Sequence, residues 1–117
     1  MAVITATDAT GSGEKAVTVT TLGASDTFTF KPGGNQYLYL NNVTAGALTP
    51  NIIGTAPEDP QVVGAGAWDI SAGYTTASIG AGATVVIRTS TLEKYCAGTG
   101  VVTITGGTAI EASLLEY

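Results

Sequence analysis

Three carboxylates, one thiol and one indole come nearest to chemistry among the side chains of this 117-residue chain. Glu58 and Asp59 are adjacent, and Asp69 lies a short way beyond them. Either Glu58 with Asp59 or Asp59 with Asp69 would supply the two carboxyl groups of a glycosidase, one to protonate the leaving oxygen and one to attack or to activate water. Adjacent acids between Pro57 and Pro60 read more simply as a solvated loop. The same oxygens are of the type that holds calcium, but no EF-hand spacing or Asp-x-Asp run accompanies them, so no metal is expected.

Other routes to catalysis are weaker. Histidine is absent, which removes the commonest general base, the usual partner of a serine or cysteine nucleophile and the commonest zinc ligand. Cys96 is the only cysteine. It falls near the carboxyl end of a short expected helix, where the dipole disfavours a thiolate, and reads as a small core residue. Gly64-Ala65-Gly66 and Gly80-Ala81-Gly82 lack a third spaced glycine, a long following helix and a Walker lysine, so they are turns and not phosphate cradles. Trp68, the lone tryptophan, could stack on a sugar ring beside Tyr74, as in a carbohydrate-binding or host-adhesion module; a large ring plugging one end of a sandwich is the plainer reading. Asn42-Val43-Thr44 fits the N-glycosylation acceptor pattern and reads as a turn. The chain is expected to be no enzyme and to carry no cofactor.

The elements that must position these residues are short strands. Residues 84–88 are mostly β-branched, which favours extended backbone. Ser90 with Glu93 fits a capping box opening a short helix near residues 90–97, which Gly98 can stop. Residues 101–105 alternate, Gly106-Gly107 supplies a turn and residues 110–115 return, which predicts a hairpin. Residues 16–20 alternate with Val17 and Val19 on one face, predicting a half-buried strand. Residues 26–30 and 36–41 alternate on either side of a Pro32-Gly33-Gly34-Asn35 loop and read as a second hairpin, with Leu38 and Leu40 inward. Tyr37 and Tyr39 share the opposite face, as either a buried layer or an exposed pair. A strand is expected over residues 48–53, where Pro50 suggests an edge or an irregular start. Residues 68–71 and 74–79 look like short strands about Gly73. Nothing is periodic from residue 54 to 67, and a loop of that length in a small domain usually has a role in contact. Residues 1–14 are expected to be a first strand or an arm that orders against a partner, and residues 15–117 a single β domain. The fold class is therefore all-β: a sandwich of eight to ten short strands, jelly-roll or immunoglobulin-like, with one short helix, or alternatively an open barrel.

Composition limits the partners. The net charge of −5 comes from nine acidic and four basic residues with no basic cluster, so neither nucleic acid nor an anionic membrane is expected to bind. No apolar run approaches the roughly 20 residues that cross a bilayer. The start lacks the basic and apolar regions of a secretory leader, so synthesis in a host cytoplasm is expected. Charged residues make up only 11% of the chain, against about 25% in ordinary soluble proteins. Thr, Ala and Gly, at 20, 17 and 16 residues, fill the space instead. A skin so poor in charge suits burial against neighbours.

The stretches at residues 21–30 (Thr-Leu-Gly-Ala-Ser-Asp-Thr-Phe-Thr-Phe), 36–42 (Gln-Tyr-Leu-Tyr-Leu-Asn-Asn), 47–52 (Ala-Leu-Thr-Pro-Asn-Ile) and 102–108 (Val-Thr-Ile-Thr-Gly-Gly-Thr) give the chain a style that resembles the head decoration, or cement, proteins of tailed bacteriophages. The resemblance implies a virion structural protein on the capsid exterior, commonly a homotrimer, that stabilises the shell through contacts with the major capsid protein. Non-periodic segments are the expected capsid contacts: Val3 and Ile4 in the arm, and Pro57, Glu58, Asp59, Pro60 and Trp68 in and after the long loop. The face carrying Tyr37 and Tyr39 is the expected oligomer contact.

Overall fold

A computed structural model describes residues 2–31, 35–55, 61–62, 66–67, 72–96 and 100–117. Twelve strands are present among them: β1 (Ala2–Val3), β2 (Ala6–Asp8), β3 (Thr20–Thr21), β4 (Ser25–Thr29), β5 (Gln36–Asn41), β6 (Asn51–Gly54), β7 (Gln61–Val62), β8 (Gly66–Ala67), β9 (Tyr74–Thr75), β10 (Thr84–Arg88), β11 (Val101–Thr105) and β12 (Glu111–Glu116). They form a small β-sandwich. One sheet has the order β1-β4-β11-β6-β9; the other runs β10-β5-β12, with β2 and β3 sharing the far edge of β12. Neither sheet closes into a barrel, and β7 pairs only with β8.

The core follows from the period of two. Phe28 on β4 and Ile52 on β6 flank Val102 and Ile104 on β11, and Leu38 and Leu40 on β5 lie opposite Leu114 and Ala112 on β12. All eight are essentially inaccessible to water. Each large apolar side chain so buried contributes roughly 1.5–3 kcal/mol. Ile4, Leu22, Ile79, Leu92, Cys96 and Ile110 close the rim of the same cluster.

Two buried amides frame β5. Gln36 donates through Nε2 to the Thr29 carbonyl (2.8 Å) and to Glu116 Oε1 (3.1 Å), while its Oε1 accepts from Thr89 Oγ1 at 2.8 Å. Asn42 donates through Nδ2 to the carbonyls of Gly46 and Ile79, both at 2.8 Å, and accepts from Thr44 N and Oγ1. Both side chains are fully buried, so their polar groups are affordable there only because each is bonded.

The predicted hairpins are corrected. β4 and β5 belong to different sheets, as do β11 and β12. Both edges of β4 are taken by β1 and β11, and both edges of β5 by β10 and β12, so each connection is a corner between sheets. Ala109, at φ 74°, and Gly106, at φ 75°, bend the second corner, which the Leu22 carbonyl holds by accepting from Ala109 N at 2.8 Å. Residues 16–19 are not a half-buried strand. Val17 and Val19 are exposed, pairing begins only at Thr20, and the segment is tied down by Thr18 N donating to Thr7 Oγ1 at 3.0 Å.

The expected helix shrinks to a single 3-10 turn, Thr89–Leu92. Arg88 occupies its N-cap position without a side-chain cap, so Ser90 and Glu93 form no capping box. That turn carries Leu92 into the core, and Cys96 follows through its N–H bonds to the Leu92 and Glu93 carbonyls. The arm forms two strands, broken at Ile4-Thr5 where the chain passes from the first sheet to the second. Pro50 marks an irregular start and not an edge, since β6 lies between β11 and β9. Residues 74–79 keep only β9 and an isolated bridge from Ile79 to Leu48. Among the described residues of the 54–67 segment, Gln61 pairs with Ala67 and Val62 with Gly66, a pairing its sequence does not suggest. The strand expected at 68–71 lies outside the described residues.

Gly73 has φ 80°, and a Cβ there would come within 2.8 Å of both the Ile52 carbonyl oxygen and Ile53 Cβ. Gly73→Ala should therefore lower the unfolding free energy by about 1–3 kcal/mol in denaturant titrations. Gly23→Ala, where a Cβ meets nothing within 4 Å, should stay within about 0.5 kcal/mol.

Candidate interaction surface

The outward positions of the second sheet make a regular grid. Alternation turns Tyr37, Tyr39 and Asn41 of β5 away from the core, with Thr84, Val86 and Arg88 of β10 on one side and Glu111, Ser113 and Leu115 of β12 on the other. Register aligns them in three rows: Arg88–Tyr37–Leu115, Val86–Tyr39–Ser113 and Thr84–Asn41–Glu111. Neighbours in a row stand one strand spacing apart, roughly 4.7–4.9 Å, close enough to act as one surface.

Tyr117 extends the grid by stacking on Tyr37, with ring centroids 5.4 Å apart and planes 15° from parallel. Its phenol is pushed above the ordinary value, first by interaction with the Tyr37 hydroxyl, with Arg88 pulling the other way. Over the β12 side, Val17 and Val19 stand above the sheet and wall a groove of about 290 Å³, floored by Tyr39, Asn41, Glu111, Ser113 and Leu115. Val86 is 54% exposed and Tyr117 46%. One cation and one carboxylate, Arg88 and Glu111, occupy opposite corners of an otherwise neutral grid.

The outer face of the first sheet is plainer. Thr27 pairs with Thr103, Ser25 with Thr105 and Thr29 with Val101, a flat run of small hydroxyl-bearing and β-branched side chains. Val3 lies beside Thr27 at that sheet's edge.

The residues predicted as contacts separate. Tyr37 and Tyr39 stand together, half-buried, on the grid. Val3 is 66% exposed, but Ile4 is 2% exposed and belongs to the core, so it meets a partner only if the arm leaves the sandwich. Pro57, Glu58, Asp59, Pro60 and Trp68 lie outside the described residues, as does Asp69 with its proposed carboxylate pairing. Sequence reasoning passed over Val86, Arg88, Leu115 and Tyr117 as surface residues. The alternation of residues 84–88 and 111–116, carried through to the outward parity, would have found them.

Among the described residues no three His, Cys, Asp or Glu side chains gather to hold a metal ion. No helix among them is long and apolar enough to cross a membrane. Asn42, the sequon asparagine, is buried with its amide engaged, in keeping with a turn. Comparison with protein-family models, with curated proteins and with solved structures finds no match to this chain.

Cys96 is 1% exposed, and burial pushes its thiol up from 9.0 to about 11. The unfolded chain thus loses the thiol proton first, and stability should fall as pH rises from about 9 to 11, with a loss on the order of 2–3 kcal/mol when the window is complete. Cys96→Ala should remove that part of the pH dependence in denaturant titrations. A thiol reagent should label the native protein far more slowly than the denatured one.

Proposed function

We propose that this chain is a virion structural protein that decorates a bacteriophage capsid and stabilises it through contacts with the major capsid protein, with the Tyr37–Tyr39 grid as a contact surface. The observation that carries this reading is the grid itself: a regular, nearly uncharged sheet face on which Val86, Tyr117 and the Val17–Val19 wall leave apolar surface open to solvent. Aromatic anchors beside small and β-branched residues give packing area at low entropic cost, which suits contact with another protein more than solvation. The scarcity of charge along the whole chain and the resemblance in strand style support the same reading. Repetition over a shell multiplies weak contacts, because each copy that touches several capsid subunits gains from effective concentration.

A second reading, a carbohydrate-binding or host-adhesion module, is favoured by one feature. Tyr39 borders a groove that also offers Asn41, Glu111 and Ser113, a ring beside hydrogen-bonding groups, as a sugar requires.

Cosedimentation separates the two. The purified chain should pellet with expanded shells of the major capsid protein encoded in the same genome, and Tyr39→Lys should weaken that binding by about tenfold or more. Failure to bind shells, with calorimetric heat on titration with glycans that Tyr39→Ala abolishes, would establish the second reading instead.

A further inference from the structure

The edge of the second sheet carries a contact that neither reading requires. β10 pairs with β5 on one side, and among the described residues no strand pairs with its other side. The remaining edges are blunted in the ways that keep sheets from joining. β1 and β9 are two residues long, and the far edge of β12 is shared between the short β2 and β3. β10 alone presents five consecutive residues, Thr-Val-Val-Ile-Arg, with no proline and no lysine. A groove of about 200 Å³ runs along it, between residues 85–87 and residues 76–79.

The hydrogen-bond parity of that edge can be read from its end. Asn42 N donates to the Ala83 carbonyl at 2.9 Å. Alternation along an antiparallel ladder then directs the backbone groups of Val85 and Ile87 toward β5, and those of Thr84, Val86 and Arg88 outward. The pairing of Tyr117 N with the Asn35 carbonyl at 2.9 Å, on the opposite side of β5, has the matching parity. Three alternate residues, Thr84, Val86 and Arg88, thus turn outward main-chain N–H groups that have no backbone partner among the described residues; of their carbonyls, that of Arg88 accepts from Thr91 Oγ1 at 2.7 Å and keeps one lone pair for a further donor.

We propose that β10 pairs antiparallel with β10 of a second copy across a twofold axis at Val86, joining the two second sheets into one. At that register Val86 faces Val86, and Arg88 of each copy faces Thr84 of the other. Arg88 then enters the row Thr84–Asn41–Glu111 of the second copy. It stands three strand spacings from Glu111, about 14 Å between Cα atoms, so the two charges attract across the row without touching, and Asn41 lies between them as an acceptor within reach of the guanidinium. Among the described residues neither Arg88 nor Glu111 has an ion pair; the pair present there is Lys31 with Glu116 at 3.8 Å. The twofold axis makes the contact twice, so the complementarity is reciprocal. The pairing does not rest on the capsid reading. It also differs from the trimer that the phage resemblance implies, which would need β10 to meet an edge of another kind.

Sedimentation equilibrium of the full chain tests it. The wild-type protein should run as a dimer. Val86→Lys, which sets like charges against each other at the axis, and the single reversals Arg88→Glu and Glu111→Arg should each weaken association by about tenfold or more, while the double reversal restores most of it. Circular dichroism checks that each variant folds, and the exposed Arg88→Glu carries the test alone should Val86→Lys fail to fold. A monomer at hundred-micromolar concentration, a trimer, or a dimer indifferent to these substitutions would overturn the proposal.

Discussion

Two carboxamides decide where the second sheet sits. Gln36 opens β5 and Asn42 follows its last residue, and each binds backbone that belongs to another part of the molecule. Gln36 reaches the end of β4, the end of β12 and the 3-10 turn after β10. Asn42 reaches the loop at Gly46 and the bridge at Ile79. A buried amide that lost one of these partners would leave a desolvated donor or acceptor, at a cost of roughly 1–3 kcal/mol. The apolar side chains between them, Leu38 and Leu40, supply more energy and fix which face points inward, but a slip of two residues would keep that face buried. Register along β5, and through it the alignment of β10 and β12, is therefore set by the polar ends and stabilised by the apolar middle.

The alternation of Phe28, Leu38, Leu40, Val102, Ile104 and Leu114 is legible from residue types alone, and with it the all-β class; the Tyr37–Tyr39 face stays open between burial and exposure. Pairing was not. A period of two says which side chains point inward but not which strand lies alongside, and the two expected hairpins are corners between sheets for that reason. Gly106-Gly107 looks the same in a sequence whether the chain turns back within one sheet or crosses to the other. Val17 and Val19 misled in a related way: alternation is necessary for a half-buried strand but not sufficient, since these valines rise over the sheet to wall a groove. The short helix is cut to one 3-10 turn because its N-cap position falls on Arg88, which offers no side-chain cap, and not on Ser90.

The surface was partly legible. Tyr37 and Tyr39 were visible as a pair facing away from Leu38 and Leu40, but their neighbours came from β10 and β12, which only the register brings beside them. Val3 and Ile4, adjacent in sequence and grouped together on composition, divide at the point where the arm changes sheets: one side chain faces solvent and the other plugs the seam. Cys96, read as a core residue from its poor thiolate environment, is one, and Asn42 is a structural amide inside a sequence that imitates a modification site.

The arrangement of β12 bears on how the molecule is made. Its residues lie between β5 on one edge and β2 and β3 on the other, and Leu114, Leu115 and Glu116 are partners of Ala6, Thr7 and Asp8. A strand formed from the opening of the chain must therefore wait for one synthesised more than a hundred positions later, and such distant closure slows folding. Until then β5 has β10 on one edge but nothing on the other, Leu38 and Leu40 lack part of their cover, and the nascent polypeptide carries an adhesive edge with nothing yet to occupy it. A sequence with so few charged groups to keep such intermediates apart places its greatest hazard during synthesis, before the sandwich exists, and assistance by a chaperone would matter most in that interval.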